Sequence, residues 1–153
     1  MMRIPFLIFC ILPLFASAQL SLGETKQQIH QEIKQKLKEH TNSHHKLTET
    51  DSSLVLAITS ANKSKVVYSY KFNANGYCSQ QKITNDSDKA MQMQMDEILS
   101  VKKYNWKKIN ENQYISDFES GLILEFPPEN TEHSLIIIKT EWTKEFYELL
   151  LSQ

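Results

Sequence analysis

Cysteine, glycine and arginine are the residues that this sequence has least of. It contains two cysteines and three glycines among 153 residues, and Cys10 lies in an apolar segment near the N terminus. That leaves Cys78 as the only thiol of the remaining chain, and one cysteine cannot form an internal disulfide. With so few glycines, no Gly-rich loop for binding phosphate is present. We therefore expect packing alone to stabilise the fold.

Arginine occurs once, at Arg3, so the other basic residues are 16 lysines, set against 18 acidic residues. Arginine binds phosphates and carboxylates through a planar fork that lysine lacks. The missing arginine and the nearly neutral charge argue against nucleic acid as a partner. Neither a Gly-x-Ser-x-Gly nor a His-Glu-x-x-His motif occurs, and we predict no cofactor.

The first residues have the pattern of a secretion signal. Arg3 precedes an apolar run over residues 4–15, which ends in Ala16-Ser17-Ala18. Small residues on either side of one position are typical of a signal-peptide cleavage site. The run is shorter than the 20 or so residues with which a helix spans a bilayer. We predict that residues 1–18 are a signal peptide, and that the mature chain starts at Gln19. It would then be periplasmic or extracellular in a bacterial setting and not an integral membrane protein.

Residues 19–153 have the length and composition of a single domain with three helices. The first predicted helix covers residues 24–40, and the second predicted helix covers residues 85–103. A third helix closes the chain. Each carries an apolar stripe at helical spacing. The stripes are Ile29, Ile33 and Leu37; Met91, Met95, Ile98 and Leu99; and Trp142, Phe146, Leu149 and Leu150.

Six apolar or alternating segments predict strands, three after the first helix and three after the second. They are SLVLAIT, KVVYSYKF, YCSQQKIT, NQYISDF, LILEF and SLIIIKT, whereas TNSHHKLTETDSS and PPENTEH read as loops. The predicted fold class is α+β, in the order α-βββ-α-βββ-α. Antiparallel strands form a sheet with the helices packed on one face. The other face would stay open for a ligand or partner.

Cys78 follows the turn Asn73-Ala74-Asn75-Gly76, which has the pattern of a three-residue hairpin loop with a bulge. This loop pairs Phe72 with Cys78, so the thiol would pack as a small apolar group against aromatic rings. A two-residue loop would instead shift the strand register by one residue. The Cys78 thiol would then lie on the other face of the strand, beside Lys71. A nucleophilic thiol needs activation, and no histidine lies near Cys78 in the sequence. We expect a packing role.

Histidines at the end of the first helix raise the question of a metal site. His40, His44 and His45 occur in the segment HTNSHH. Neutral imidazoles bind zinc or copper, but no acidic or cysteine ligand has a recognisable motif spacing. Surface histidines in a connecting loop are the favoured interpretation, and metal binding stays the alternative.

Five aromatic residues outside the helical stripes are candidates for a contact surface, because aromatic rings combine apolar area with a polar group. The alternative for each is ordinary packing. They are Tyr77, Tyr104, Trp106, Tyr114 and Phe118.

The segment from residue 68 to 84 carries a resemblance. Tyr68-x-Tyr70-x-Phe72-Asn73, a turn ending at Gly76 and then Cys78 resemble a pattern in small exported bacterial α+β proteins of unknown function. The resemblance implies that the protein is located in the cell envelope or is secreted. It does not imply any enzymatic activity. The order of helices and strands is also similar to that of secretion-chaperone-like folds, in architecture alone.

These observations predict a non-enzymatic exported module that binds a protein, a peptide or a small apolar ligand. The alternative is a small thiol enzyme or hydrolase, in which folding brings a histidine to Cys78. A third hypothesis is a structural component of the cell envelope.

Overall fold

A computed structural model describes residues 20–39, 42–126 and 133–152. The predicted signal peptide, His40 and most of the PPENTEH segment lie outside these residues. In the described part, three helices accompany eight strands and a 3₁₀ turn at Lys102–Tyr104. The helices are α1 (Lys26–Glu39), α2 (Asp88–Leu99) and α3 (Lys144–Leu151). The strands are β1 (His44–Glu49), β2 (Ser53–Thr59), β3 (Lys65–Phe72), β4 (Cys78–Asn85), β5 (Lys107–Asn110), β6 (Gln113–Ile115), β7 (Leu122–Glu125) and β8 (Ser134–Lys139).

The eight strands form one antiparallel sheet in the order β1-β2-β3-β4-β8-β7-β6-β5. The fold is therefore an α+β arrangement, but each block has four strands where the sequence predicted three. The segment predicted as a loop after the first helix contains β1, and β5 was missed as well. Both strands lie at the edges of the sheet, and β1 is exposed at all six positions. An edge strand without a buried face shows no alternation of apolar and polar residues.

The predicted hairpin at Cys78 is confirmed. Phe72 pairs with Cys78, and a register shift follows Lys71. The backbone amide of Asn73 donates to the Tyr77 carbonyl, and that of Gly76 donates to the Asn73 carbonyl, at 2.9 Å each. Gly76 has a φ of +79°, as the bulge position of such a loop requires. This register sets which face of β4 is buried.

Helices α1 and α2 contact the same face of the sheet. Ile29 and Ile33 of α1 pack with β2 and β3 residues such as Leu56. Ile98 of α2 packs with Ile83 and with residues of β7 and β8. Ile83 and Leu56 both pair with Tyr68, so the strand registers place them on one face. We call this side the core face. Ile29 and Ile98, which belong to the apolar stripes predicted for the first two helices, are therefore buried as expected.

The last helix, α3, packs differently from the expected stripe. Phe146 and Leu149 are 48% and 58% exposed, and Tyr147 is the buried residue of this helix. The Tyr147 hydroxyl donates to the Ser116 carbonyl at 3.1 Å, and the ammonium group of Lys107 donates to the same hydroxyl. Strand pairing places Lys107 on the opposite side from the core face, so the predicted packing of all the helices on one face is not confirmed. Of the predicted stripe, Trp142 and Leu150 are half-buried, and the Trp142 ring contacts Tyr147, so the stripe is buried only in part.

A short segment before α1, residues 20–24, is part of the fold; we call it the N-terminal lead. Leu20 belongs to the core around α2, and Ser21 is fully buried. The Ser21 amide donates to the Gln81 side-chain oxygen at 3.2 Å, and its hydroxyl donates to Glu32 at 2.8 Å. Gly23 and Glu24 bond the backbone of Cys78 at 2.8 Å each. The lead therefore connects β4 to α1.

Candidate functional site

Cys78 is buried, with 1% of its surface exposed, among Phe72, Tyr70 and residues of α1. Its sulfur donates to the Gln80 carbonyl at 3.5 Å. Burial raises the pKa of the Cys78 thiol to about 11, which opposes formation of the thiolate. Two of the described histidines are held elsewhere, because His30 contacts Glu49 and His133 contacts Asp88. This environment suits a packing role better than nucleophilic attack.

We expect the thiol of Cys78 in the native chain starting at Gln19 to react roughly a hundredfold more slowly than in the unfolded chain near pH 8. The reason is the raised pKa, which lowers the thiolate fraction, together with burial. The measurement is the rate of alkylation by iodoacetamide with and without denaturant. Native and unfolded rates within a few-fold of each other would contradict a packing role for this side chain.

The three candidate metal ligands are not brought together in the described residues. His44 and His45 are neighbours on β1, where successive side chains point to opposite faces, and both are exposed. His40 lies outside the described residues. Within residues 20–39, 42–126 and 133–152, no group of three histidine, cysteine or acidic side chains is placed to hold a metal ion. His44 and His45 are therefore surface residues of an edge strand.

The five aromatic candidates lie in three separate places. Tyr104, Trp106 and Tyr114 are buried or half-buried around the core below α2. The Trp106 indole donates to the Ile98 carbonyl at 3.1 Å. Phe118 is 39% exposed and contacts the Tyr147 ring, whereas Tyr77 is 48% exposed in the hairpin before β4. No described contact joins the three groups into one surface.

The face of the sheet opposite the core face carries aliphatic side chains that stay partly exposed; we call it the open face. On β2, buried Leu54, Leu56 and Ile58 alternate with half-exposed Val55 and Ala57. The aliphatic positions continue across the sheet through the strand register. They are Val55, Ala57, Val67, Ile123, Ile136 and Ile138. A solvated antiparallel face normally carries polar residues, so this composition points to a contact surface.

Lysines surround these aliphatic side chains on the open face. Pairing places Lys46 beside Ala57, Lys71 beside Gln80, and Lys82 beside Ile136. Lys65 lies on the same face at the start of β3. Across β1–β4, β7 and β8, the described positions on this face include one acidic residue, Glu125, which pairs with Ile136. The open face is thus positively charged in a chain whose net charge is −1.

Helix α3 limits the open face at one end. Ile115 and Ile123 pair across β6 and β7 on this side of the sheet, and Ile115 is fully buried whereas Ile123 is half-exposed. The contacts of Tyr147 with Lys107 and Ser116 lie at the same end. The exposed part of the face therefore extends from β7 to β1.

The lysines of the open face were not among the residues singled out from the sequence. A signal for them exists, because KVVYSYKF places Lys65, Val67, Ser69 and Lys71 on one side of a strand. Lys46 on β1 and Lys82 on β4 lie on the same face as these residues only because of the register of the sheet.

Comparison with protein-family models, curated proteins and solved structures finds no match. Among the described residues, none of the helices has the length and apolar character needed to cross a membrane.

Proposed function

We propose that this protein is an exported, non-enzymatic binding module whose open face binds an acidic polypeptide segment. The observation that carries the proposal is the lysine-rich open face with its half-exposed aliphatic side chains. Carboxylates of the partner would meet Lys46, Lys65, Lys71 and Lys82, and its apolar side chains would cover Val55, Val67 and Ile136.

Charge complementarity favours an acidic partner. Opposite charges across an interface accelerate association and reject partners of the wrong sign. A second copy placed on the same face would set lysines against lysines, which opposes self-association there. Lysine contacts carboxylates as a point charge without the two-point geometry of arginine. The surface therefore suits a partner that is recognised by charge and apolar area.

The test is a titration of the chain starting at Gln19 with a short peptide of alternating glutamate and leucine, followed by amide chemical shifts. We expect shifts at open-face positions of β2, β3, β4 and β8. We expect the double variant Lys46→Glu/Lys71→Glu to weaken binding roughly three- to thirtyfold, because each exposed pair contributes about 0.2–1 kcal/mol and reversal adds repulsion. Raising the salt concentration should weaken binding in the same direction.

The matched control is Lys34→Glu/Lys89→Glu, which reverses two exposed lysines on the helices of the core side. This variant should bind the peptide almost as well as the unchanged protein. A peptide with lysine in place of glutamate should not bind. No binding of the acidic peptide, equal binding of the two peptides, or equal loss in both double variants would contradict the proposal.

A further inference from the structure

A cavity of about 320 Å³ lies on the core side, between the N-terminal lead, the 3₁₀ turn and the ends of β7 and β8. Leu20, Leu22, Tyr104 and Leu122 supply the apolar part of its lining, and Glu24, Lys103, Ser120 and Lys139 supply the larger polar part. Leu20, Tyr104 and Leu122 belong to the buried core, so the cavity borders the core at the surface of the protein. Its volume lies in the range of small-molecule sites, which is about 300–1,000 Å³.

Two lysines line the same cavity and are held in place. The Lys139 ammonium group donates to the Ser120 carbonyl, and that of Lys103 lies 4.7 Å from the centre of the Tyr104 ring. An ammonium group has three donors, so the bond to Ser120 leaves further donors on Lys139. Both side chains are exposed. The two positive charges therefore lie at the solvent-exposed side of the cavity lining.

The backbone fixes this arrangement at Gly121. A Cβ atom at this position would lie 2.5 Å from the Thr140 carbonyl oxygen, and the Thr140 amide donates to the Gly121 carbonyl at 2.8 Å. Ser120 and Lys139 are the neighbours of these two residues in the chain. The close approach of the two strand ends thus positions the Lys139 ammonium group beside Ser120 before any ligand binds, which lowers the entropy cost of binding.

We infer that this cavity binds a small carboxylate with an apolar chain. The carboxylate would be bound by Lys103 and Lys139, and the chain would lie against Leu20, Leu22 and Leu122. Glu24 also lines the cavity, so two positive charges and one negative charge give a net charge of +1. This balance suits a monoanion better than a phosphate dianion. The site is distinct from the open face and does not depend on the proposed function.

The experiment uses octanoate as the probe on the chain starting at Gln19, with calorimetry and methyl chemical shifts of the leucines. We expect saturable binding with a Kd below about 1 mM and shifts at Leu20, Leu22 and Leu122. Octanol and octylamine keep the chain but lack the carboxylate. Each should bind about tenfold more weakly or worse, because contacts to a charged group are stronger than neutral ones.

Lys103→Met and Lys139→Met should each weaken octanoate binding about five- to tenfold, since methionine keeps the apolar stem and removes the charge. Lys102→Met is the matched control, because Lys102 is an exposed neighbour that does not line the cavity. It should leave the Kd unchanged. Lys139→Arg keeps the positive charge and should retain most of the affinity.

Four outcomes would overturn the inference: octanol binding as tightly as octanoate, equal effects of Lys102→Met and Lys103→Met, shifts confined to the core around Ile29, or no saturable binding. If a lysine variant fails to fold, the inference is tested by comparing the binding of octanoate and octanol to the unchanged protein. A short peptide with a free C-terminal leucine tests whether the carboxylate could come from the end of a polypeptide. If this peptide binds and octanoate does not, the inference is also overturned. Lys46→Glu/Lys71→Glu should not alter octanoate binding, which separates this result from the test of the open face.

Discussion

Replacing Gly121 by alanine should lower the free energy of unfolding by about 2–5 kcal/mol. Gly121 has a φ of +61°, a conformation that disfavours a side chain, and the added Cβ would lie 2.5 Å from the Thr140 carbonyl oxygen. That oxygen belongs to the backbone, so the contact is relieved only if the ends of β7 and β8 separate. Urea unfolding of the two proteins, followed by circular dichroism, gives the difference.

Gly76→Ala is the matched control for this substitution. Gly76 also has a positive φ, at +79°, but no atom lies within 4 Å of the added Cβ. Its cost should be limited to the conformational penalty of about 1–2 kcal/mol. Equal losses in the two variants would show that the close approach at Thr140 contributes nothing. Because Gly121 adjoins Ser120, Gly121→Ala should also weaken octanoate binding, which Gly76→Ala should leave unchanged.

The central strands of this fold were predictable because burial leaves a pattern in their sequence. SLVLAIT is apolar on both alternating sets of positions, KVVYSYKF alternates between apolar and polar residues along most of its length, and both form strands where predicted. Strands β1 and β5 lack this pattern, since HHKLTE and KKIN are nearly all polar. Such segments form strands because a neighbouring strand offers backbone hydrogen bonds, and the sequence does not record that neighbour.

Side-chain orientation in α3 was less predictable than the helix itself. Phe146 and Leu149 have the spacing of a buried stripe, yet Tyr147 is buried. The buried Tyr147 hydroxyl bonds the Ser116 carbonyl and Lys107, and its ring contacts Phe118 and Trp142; these partners lie outside the helix. Apolar periodicity identifies an amphipathic helix but does not include polar partners that only the tertiary fold supplies.

Both candidate binding surfaces depend on long-range contacts. Lys46 and Lys71 lie on one face only because β2 connects their strands in register. The cavity joins Leu20 to Lys139, from opposite ends of the chain. In contrast, the position of Cys78 follows from a local hairpin, and that prediction is confirmed by the pairing with Phe72. Local turn chemistry was therefore predictable, whereas the assembly of a surface from distant residues was not.

Removing the N-terminal lead should strongly destabilise the fold. A chain that starts at Thr25 should lose about 4–6 kcal/mol of unfolding free energy relative to one that starts at Gln19. The deletion removes Leu20 from the core, the bond from the Ser21 amide to Gln81, and the backbone bonds to Cys78. It also removes one wall of the cavity, so octanoate binding should be lost. Urea unfolding of both chains measures the first effect.

Gln81→Leu separates the hydrogen bond of the lead from its apolar contacts. Gln81 is 2% exposed on the core face, where the register places it between Tyr70 and Ile137. In the chain starting at Gln19, the substitution leaves the buried Ser21 amide without its acceptor and should cost about 1–3 kcal/mol. In the chain starting at Thr25, that amide is absent, and leucine in an apolar site should be neutral or stabilising. Equal effects in both chains would contradict this coupling. If Gln81→Leu destabilises the chain starting at Gln19 but not the chain starting at Thr25, the role of the buried Gln81 is to bind the residues that follow the predicted cleavage site.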